Sequence, residues 1–236
     1  MANLTQLKML EDLDGVLLVD KPAGIAFSTV VKSVKRKFNL VKVGHGGSLD
    51  AMASGLLVLM INDANKAVND IMGADREYTG TVRWGLKTDT HDVYGRALAD
   101  REAPPAAELK AKIESVKAEF AGDVFQTESR FCSVRKEGTS GYEIADTGDH
   151  KPFMAHVYRF DIDGDAFSVR ATKGLLVKTL VNDLGEAVGC GAALASLRRT
   201  RVGRMSVEDA ISFDRLLEID IKDFIPCVKP ISSVLR

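Results

Sequence analysis

The stretch Val43–Leu57 reads VGHGGSLDAMASGLL. Its four glycines, Gly44, Gly46, Gly47 and Gly55, surround one histidine, His45, and one carboxylate, Asp50. Glycines let a backbone turn sharply and approach another segment closely. Asp50 stands between Leu49 and Ala51, an apolar setting that a merely solvated aspartate does not need. The hydrophobic run Leu56–Ile61 follows at once and reads as a buried strand. By itself the stretch supports two readings equally. One is a turn into a strand, with Asp50 as a turn residue or helix cap. The other is a catalytic carboxylate aimed by a glycine turn.

Composition narrows the setting. A chain of 236 residues, 45% hydrophobic and 28% charged, has the balance of a soluble globular protein with a sizeable core. No apolar run reaches the ~20 residues of a membrane helix, and the first residues carry no signal-peptide pattern. Cys132, Cys190 and Cys227 are odd in number, widely spaced and without a CxxC pair. They point to a reducing, cytoplasmic setting rather than to a zinc site or disulfide frame. The net charge of −1 excludes a global basic field, but the charge is unevenly spread. Lys32, Lys35, Arg36, Lys37 and Lys42 precede the glycine stretch, and Arg198, Arg199, Arg201 and Arg204 form a second cluster. Each cluster reads as a solvated face or as part of a local phosphate-binding surface.

Outward from the stretch, Val16–Val19 reads as a buried strand ending in the turn Asp20–Gly24. Ser28 or Thr29 is placed to cap a helix with Val30, Val31, Val34 and Phe38 on one face. Tyr78–Trp84 alternates as a strand with Tyr78, Gly80, Val82 and Trp84 on one side. Gly85–Gly95 reads as a polar loop whose Asp89, His91 and Asp92 serve local hydrogen bonds rather than a metal. Pro104 and Pro105 open a helix that Gly122 closes. Residues 125–152 read as a long excursion with few periodic apolar positions. His156–Ile162 and Phe167–Ala171 pair around Asp163-Gly164. A helix with Leu176, Leu180, Val181, Leu184 and Val188 then ends at Gly189. Ala192–Val202 is open between strand and helix, and Ser206 with Asp209 has capping-box spacing.

The order of these pieces resembles one family. GVLLVDKPAG from Gly15, GHGGSLD with AMASGLL, Arg76-Glu77-Tyr78, Thr88-Asp89-Thr90 with Asp92, and Lys173-Gly174 followed by LVKTLVNDLGEAVGCGAALASLRRTRVG are similar to the TruB-type tRNA pseudouridine synthases. The resemblance spans Gly15 to Gly203. It implies an α+β pseudouridine synthase fold: a large mixed, mostly antiparallel sheet flanked by helices, with an RNA-binding cleft and an inserted thumb-like arm at about 125–152. One catalytic domain over residues 1–236 is expected, with no C-terminal PUA domain.

The resemblance makes Asp50 the catalytic nucleophile on a flipped-out uridine at tRNA position 55, with no cofactor and no metal. A nucleophilic carboxylate must be ionised, so it needs a cation nearby and a rigid turn. The matching cation is Lys178. Tyr78 matches the residue against the flipped base, and His45 the one that holds the RNA loop open. Lys21 matches a brace of the active-site loop, and Leu176 and Leu194 match pocket positions. Arg135 and Lys136 on the arm, with Arg198, Arg199 and Arg201, would grip the T-arm of tRNA through phosphate and shape. A monomer without membrane contact is expected.

Departures fall at the site itself. The family's proline after the aspartate is Ala51, and its Thr-Gly-Thr is Gly46-Gly47-Ser48. Its Gly-Thr-Tyr-Ile-Arg is Gly174-Leu175-Leu176-Val177-Lys178, so an active-site tyrosine and a bidentate arginine are absent. Two alternatives stay open: a tRNA-binding or tRNA-folding protein without catalysis, and a pseudouridine synthase for another structured RNA.

Overall fold

A computed structural model describes Leu10 and residues 12–127, 131–135, 142–146 and 152–235. In chain order its first elements are β1 (Gly15–Lys21), α1 (Phe27–Lys37), β2 (Val43–His45), β3 (Ser54–Ile61), α2 (Val68–Gly73), β4 (Arg76–Trp84), β5 (Leu86–Thr88), β6 (Ala97–Asp100) and α3 (Ala106–Val116). Next come β7 (Gly122–Gln126), β8 (Phe131–Arg135), β9 (Tyr142–Asp146), β10 (Phe153–Asp163), β11 (Ala166–Ala171), α4 (Val177–Val188) and β12 (Ala192–Val202). The last are β13 (Met205–Ser206), β14 (Ile211–Ser212), α5 (Phe213–Glu218), α6 (Ile221–Phe224), β15 (Val228–Lys229) and α7 (Ile231–Leu235).

Eleven strands make one large mixed sheet. Its described pairings are antiparallel except β1 with β14 and β3 with β12. Among the described residues no helix is long and apolar enough to cross a membrane. The chain divides into two compact units, residues 1–78 with 197–236, and residues 79–196.

In the first unit β1 and β3 are apolar without alternation because both of their faces are buried. Leu17 and Val19 of β1, with Leu57, Leu59 and Ile61 of β3, pack against Val30, Val34 and Phe38, and against Phe213, Leu216 and Phe224. Phe38 and Phe224 stack with centroids 3.7 Å apart. Val16 and Leu18, with Leu56, Val58 and Met60, fill the opposite face with Ile71 and Val202. The β1–β3 register pairs Val19 with Leu57 and Lys21 with Gly55. This places the end of β1 beside the exit of the glycine stretch. The helix α1 begins one residue before Ser28, and its N-cap, Ala26, makes no side-chain cap. The expected Ser28 or Thr29 cap is therefore replaced by a start at Phe27, in which both hydroxyl residues lie inside the first turn.

In the second unit β10 and β11 form the expected hairpin, with Gly164 at φ +58° in its turn. The helix α4 buries Leu180, Val181, Leu184 and Val188 and ends on Gly189 in the left-handed conformation, which frees the carbonyls of Gly185 and Glu186 to accept from its N–H. Two expectations are corrected. Gly85–Gly95 is not all loop: Leu86–Thr88 is a strand that pairs with Ala97–Asp100. The excursion carries regular structure as well, with Phe131 to Arg135 paired to Asp146 to Tyr142. Ala192–Val202 is a strand.

Candidate active site

The glycine stretch folds as β2, a turn, and β3. His45 pairs with Leu59, and the Gly46 N–H donates to the Val58 carbonyl at 2.9 Å. Beyond this the chain leaves the ladder and turns through Asp50, where the Ala53 N–H donates to the Asp50 carbonyl at 3.1 Å. Leu49 is buried and Asp50 exposed. The apolar neighbours in sequence therefore do not enclose the carboxylate. Leu49 anchors the turn and Asp50 projects from it.

Three buried cations hold this turn from inside. Lys21 is fully buried, and its Nζ donates to the carbonyls of Pro22, Ile25 and Ala51 at 2.8, 2.7 and 3.4 Å. Burial pushes the Lys21 ammonium down to about 8, against the pull of the nearby Asp50 charge and with a smaller push from Arg199. Arg199, 2% exposed, donates to the carbonyls of Gly47, Ser48 and Leu56 at 3.2, 3.0 and 2.8 Å. Arg76 donates to Gly46, Ile71 and Met72 at 3.2, 3.3 and 3.2 Å, and to Ala74. Burial lowers the pKa of both arginines, and the Tyr78 hydroxyl works against this. Tyr78 is half-buried on β4, within hydrogen-bonding reach of Arg199. The structure thus gathers Asp50, Lys21, Tyr78 and Arg199 in one unit. The His45 ring is packed against Phe27, with centroids 4.7 Å apart.

Arg199 corrects the sequence reading. Its guanidinium is inside the protein, bonded to main-chain carbonyls, and is not presented to RNA. Arg198 makes a two-pronged pair with Asp20 at 2.9 and 2.8 Å, and Arg201 donates to the Arg204 carbonyl at 3.2 Å. A strand alternates its faces, so adjacent arginines on β12 had to point in opposite directions. That alternation was the available signal for an internal Arg199.

In the second unit Lys178, on the first turn of α4, forms an ion pair with the buried Asp92 at 2.6 Å. The other Asp92 oxygen accepts from the Thr90 hydroxyl at 3.0 Å and the Tyr94 N–H at 2.9 Å. Asp89 accepts from the Arg96 N–H at 2.9 Å. Among the described residues no group of three or more metal-ligating side chains forms. Sequence reasoning set Lys178 against Asp50 and did not foresee this pair with Asp92. Leu194 is fully buried, and its backbone pairs with that of the Asp92 loop. Leu176 caps α4, and its N–H and carbonyl are both paired by the buried Gln126 amide at 2.9 and 3.0 Å. Gln126 was not singled out from the sequence, where it is one polar residue at a strand end. Arg135 ends β8, opposite Tyr142. Lys136 lies outside the described residues.

Known proteins resemble the chain over most of its length. Residues 35–164 match the TruB family pseudouridylate synthase N-terminal domain, and residues 178–236 match the tRNA pseudouridylate synthase B C-terminal domain. The chain is 35% identical to tRNA pseudouridine synthase B of Opitutus terrae, over 95% of this chain and 98% of that one. It is 33% identical to tRNA pseudouridine synthase B of Aromatoleum aromaticum, over 94% of this chain and 74% of that one. Among solved structures it is similar to a chain of an H/ACA ribonucleoprotein bound to a substrate RNA containing 2'-deoxyuridine. That match has a TM-score of 0.69 at 25% identity, over 95% of this chain and 61% of the other. An archaeal box H/ACA Nop10–Cbf5 complex shares the fold, at 24% identity and a TM-score of 0.68 over 97% of this chain. The chain spans about three fifths of the length of these two structural relatives.

Proposed function

The chain belongs to the TruB family of pseudouridylate synthases, and from that premise we propose that it converts the T-loop uridine at tRNA position 55 to pseudouridine, with Asp50 as nucleophile. The reaction is an isomerisation. The bond between uracil N1 and the ribose breaks, the base turns, and a bond from C5 to the ribose forms while the C5 proton is lost and N1 is left protonated. The observation that carries this reading is the exposed Asp50 on a turn held from inside by Lys21, Arg76 and Arg199.

Each residue has a part. Asp50 attacks the sugar or the base of a flipped-out nucleotide. Tyr78, aimed by the alternation of β4, holds the base. Lys178 supplies the cation at the position where the family has arginine, and Asp92 holds its ammonium. His45 keeps the RNA loop open, and Arg135, Lys136, Arg198 and Arg201 meet the T-arm through phosphates. The enzyme acts as a monomer and uses no cofactor.

The test is competition. Unmodified tRNA transcript and ribosomal RNA stem-loops are incubated together with the protein, and pseudouridine is mapped chemically. Product at the T-loop uridine alone is the expected result. Product only in the stem-loops would reassign the substrate, and tRNA binding without product would leave a non-catalytic tRNA-binding protein.

A further inference from the structure

Three consecutive carbonyls of the glycine turn face inward onto guanidinium groups. Gly46 meets Arg76, and Gly47 and Ser48 meet Arg199. The same Arg199 also donates through Nε to the Leu56 carbonyl on β3 and reaches the Tyr78 hydroxyl. Its own backbone is paired with Gly55, so the residue cannot slide along β3. A guanidinium is a rigid plane with five donors in a fixed fork. One plane therefore sets three things relative to one another: the start of β3, the turn two residues before Asp50, and the ring of Tyr78.

Holding strands together does not require this arrangement. A buried cation is costly unless its donors are satisfied, and apolar side chains brace strands at less cost. What the guanidinium adds is a fixed orientation between the turn and the tyrosine. At 2% exposure it is closed to RNA phosphates. We propose that Arg199 is a positioning residue for the isomerisation, tying Tyr78 to the Asp50 turn so that base and nucleophile keep one relative geometry. This role rests on the reading of Asp50 and Tyr78 given above.

The test is Arg199→Lys in the full chain. Lysine keeps the charge, but three donors on a tetrahedral nitrogen cannot reproduce the planar contacts. Three quantities are measured: the single-turnover rate of pseudouridine formation on a tRNA transcript at saturating protein, the Kd for that transcript, and the urea unfolding midpoint. The rate of the folded variant is expected to fall about 100-fold, as misplacement of reacting groups does, while Kd stays close to that of the unsubstituted chain. Turnover of the folded variant at the original rate would overturn the proposal. So would a raised Kd with an unchanged saturating rate, which would make Arg199 an RNA contact. If Arg199→Lys does not fold, Tyr78→Phe removes only the hydroxyl end of the tie; a slower rate at unchanged Kd is expected, and an unchanged rate overturns the proposal. An active original chain with an equally active Arg199→Lys refutes only the positioning role. An original chain that makes no pseudouridine refutes the underlying reading as well.

Discussion

Replacing Gly55 with alanine tests how tightly the site is built. Gly55 has φ +101°, and a Cβ there would lie 2.3 Å from the Arg199 carbonyl oxygen and 2.8 Å from its nitrogen. Both are backbone atoms of β12, so no rotamer change relieves the contact. A positive φ costs a non-glycine residue about 1–2 kcal/mol, and forcing a methyl into a packed site costs about 1–3 kcal/mol more. Gly24→Ala provides the control. Its φ is +86°, and nothing lies within 4 Å of the added methyl, so only the cost of about 1–2 kcal/mol for the dihedral applies. Urea unfolding of both variants, followed by far-ultraviolet circular dichroism, gives the difference. Gly55→Ala should be less stable than Gly24→Ala by about 1–3 kcal/mol, and its folded fraction should turn over more slowly because Arg199 is displaced. Equal unfolding free energies would refute the close approach of β3 and β12.

Lys21 gives a pH prediction. Its folded ammonium loses its proton near 8 and its unfolded one near 10.5, so the unfolded chain holds more protons between these values and this group adds stability as pH rises through them. The unfolding free energy of the original chain minus that of Lys21→Met should therefore grow from pH 8 to pH 10, and a flat difference would refute the buried ammonium. Asp92→Asn keeps the acceptor for the Tyr94 N–H but removes the charge facing Lys178. It should cost about 1–3 kcal/mol in urea unfolding and slow pseudouridine formation; unchanged values in both would dismiss the ion pair. Gln126→Ala strips both partners from the Leu176 backbone and should cost about 1–3 kcal/mol, read from the shift of the urea midpoint.

Much of this was legible in the sequence. The runs Val16–Val19 and Leu56–Ile61 became strands buried on both faces, and Gly164 and Gly189 ended their elements where their positive φ was needed. Lys173-Gly174 broke the chain ahead of α4. The internal side of the site was harder to read. Lys21 and Arg199 look like surface charges in a sequence because charge patterning does not report what a side chain bonds to. Their partners are main-chain carbonyls, which every residue type carries alike. Arg198 and Arg199 are chemically identical neighbours. Only strand alternation, and the register that sets Arg199 against Gly55, separates the one paired with Asp20 from the one inside the turn. The Lys178–Asp92 pair joins residues 86 positions apart, which spacing alone cannot reveal. Ala51 needs only its backbone for what it does here. Its carbonyl accepts from the Gly24 N–H at 2.7 Å and from Lys21.

The most direct test is the single-turnover rate of pseudouridine formation at the T-loop uridine of an unmodified tRNA transcript, with the original chain and with Asp50→Asn compared at saturating protein. The original chain should convert that uridine, and Asp50→Asn should bind the transcript but leave it unconverted. Equal product from Asp50→Asn would contradict Asp50 as the nucleophile.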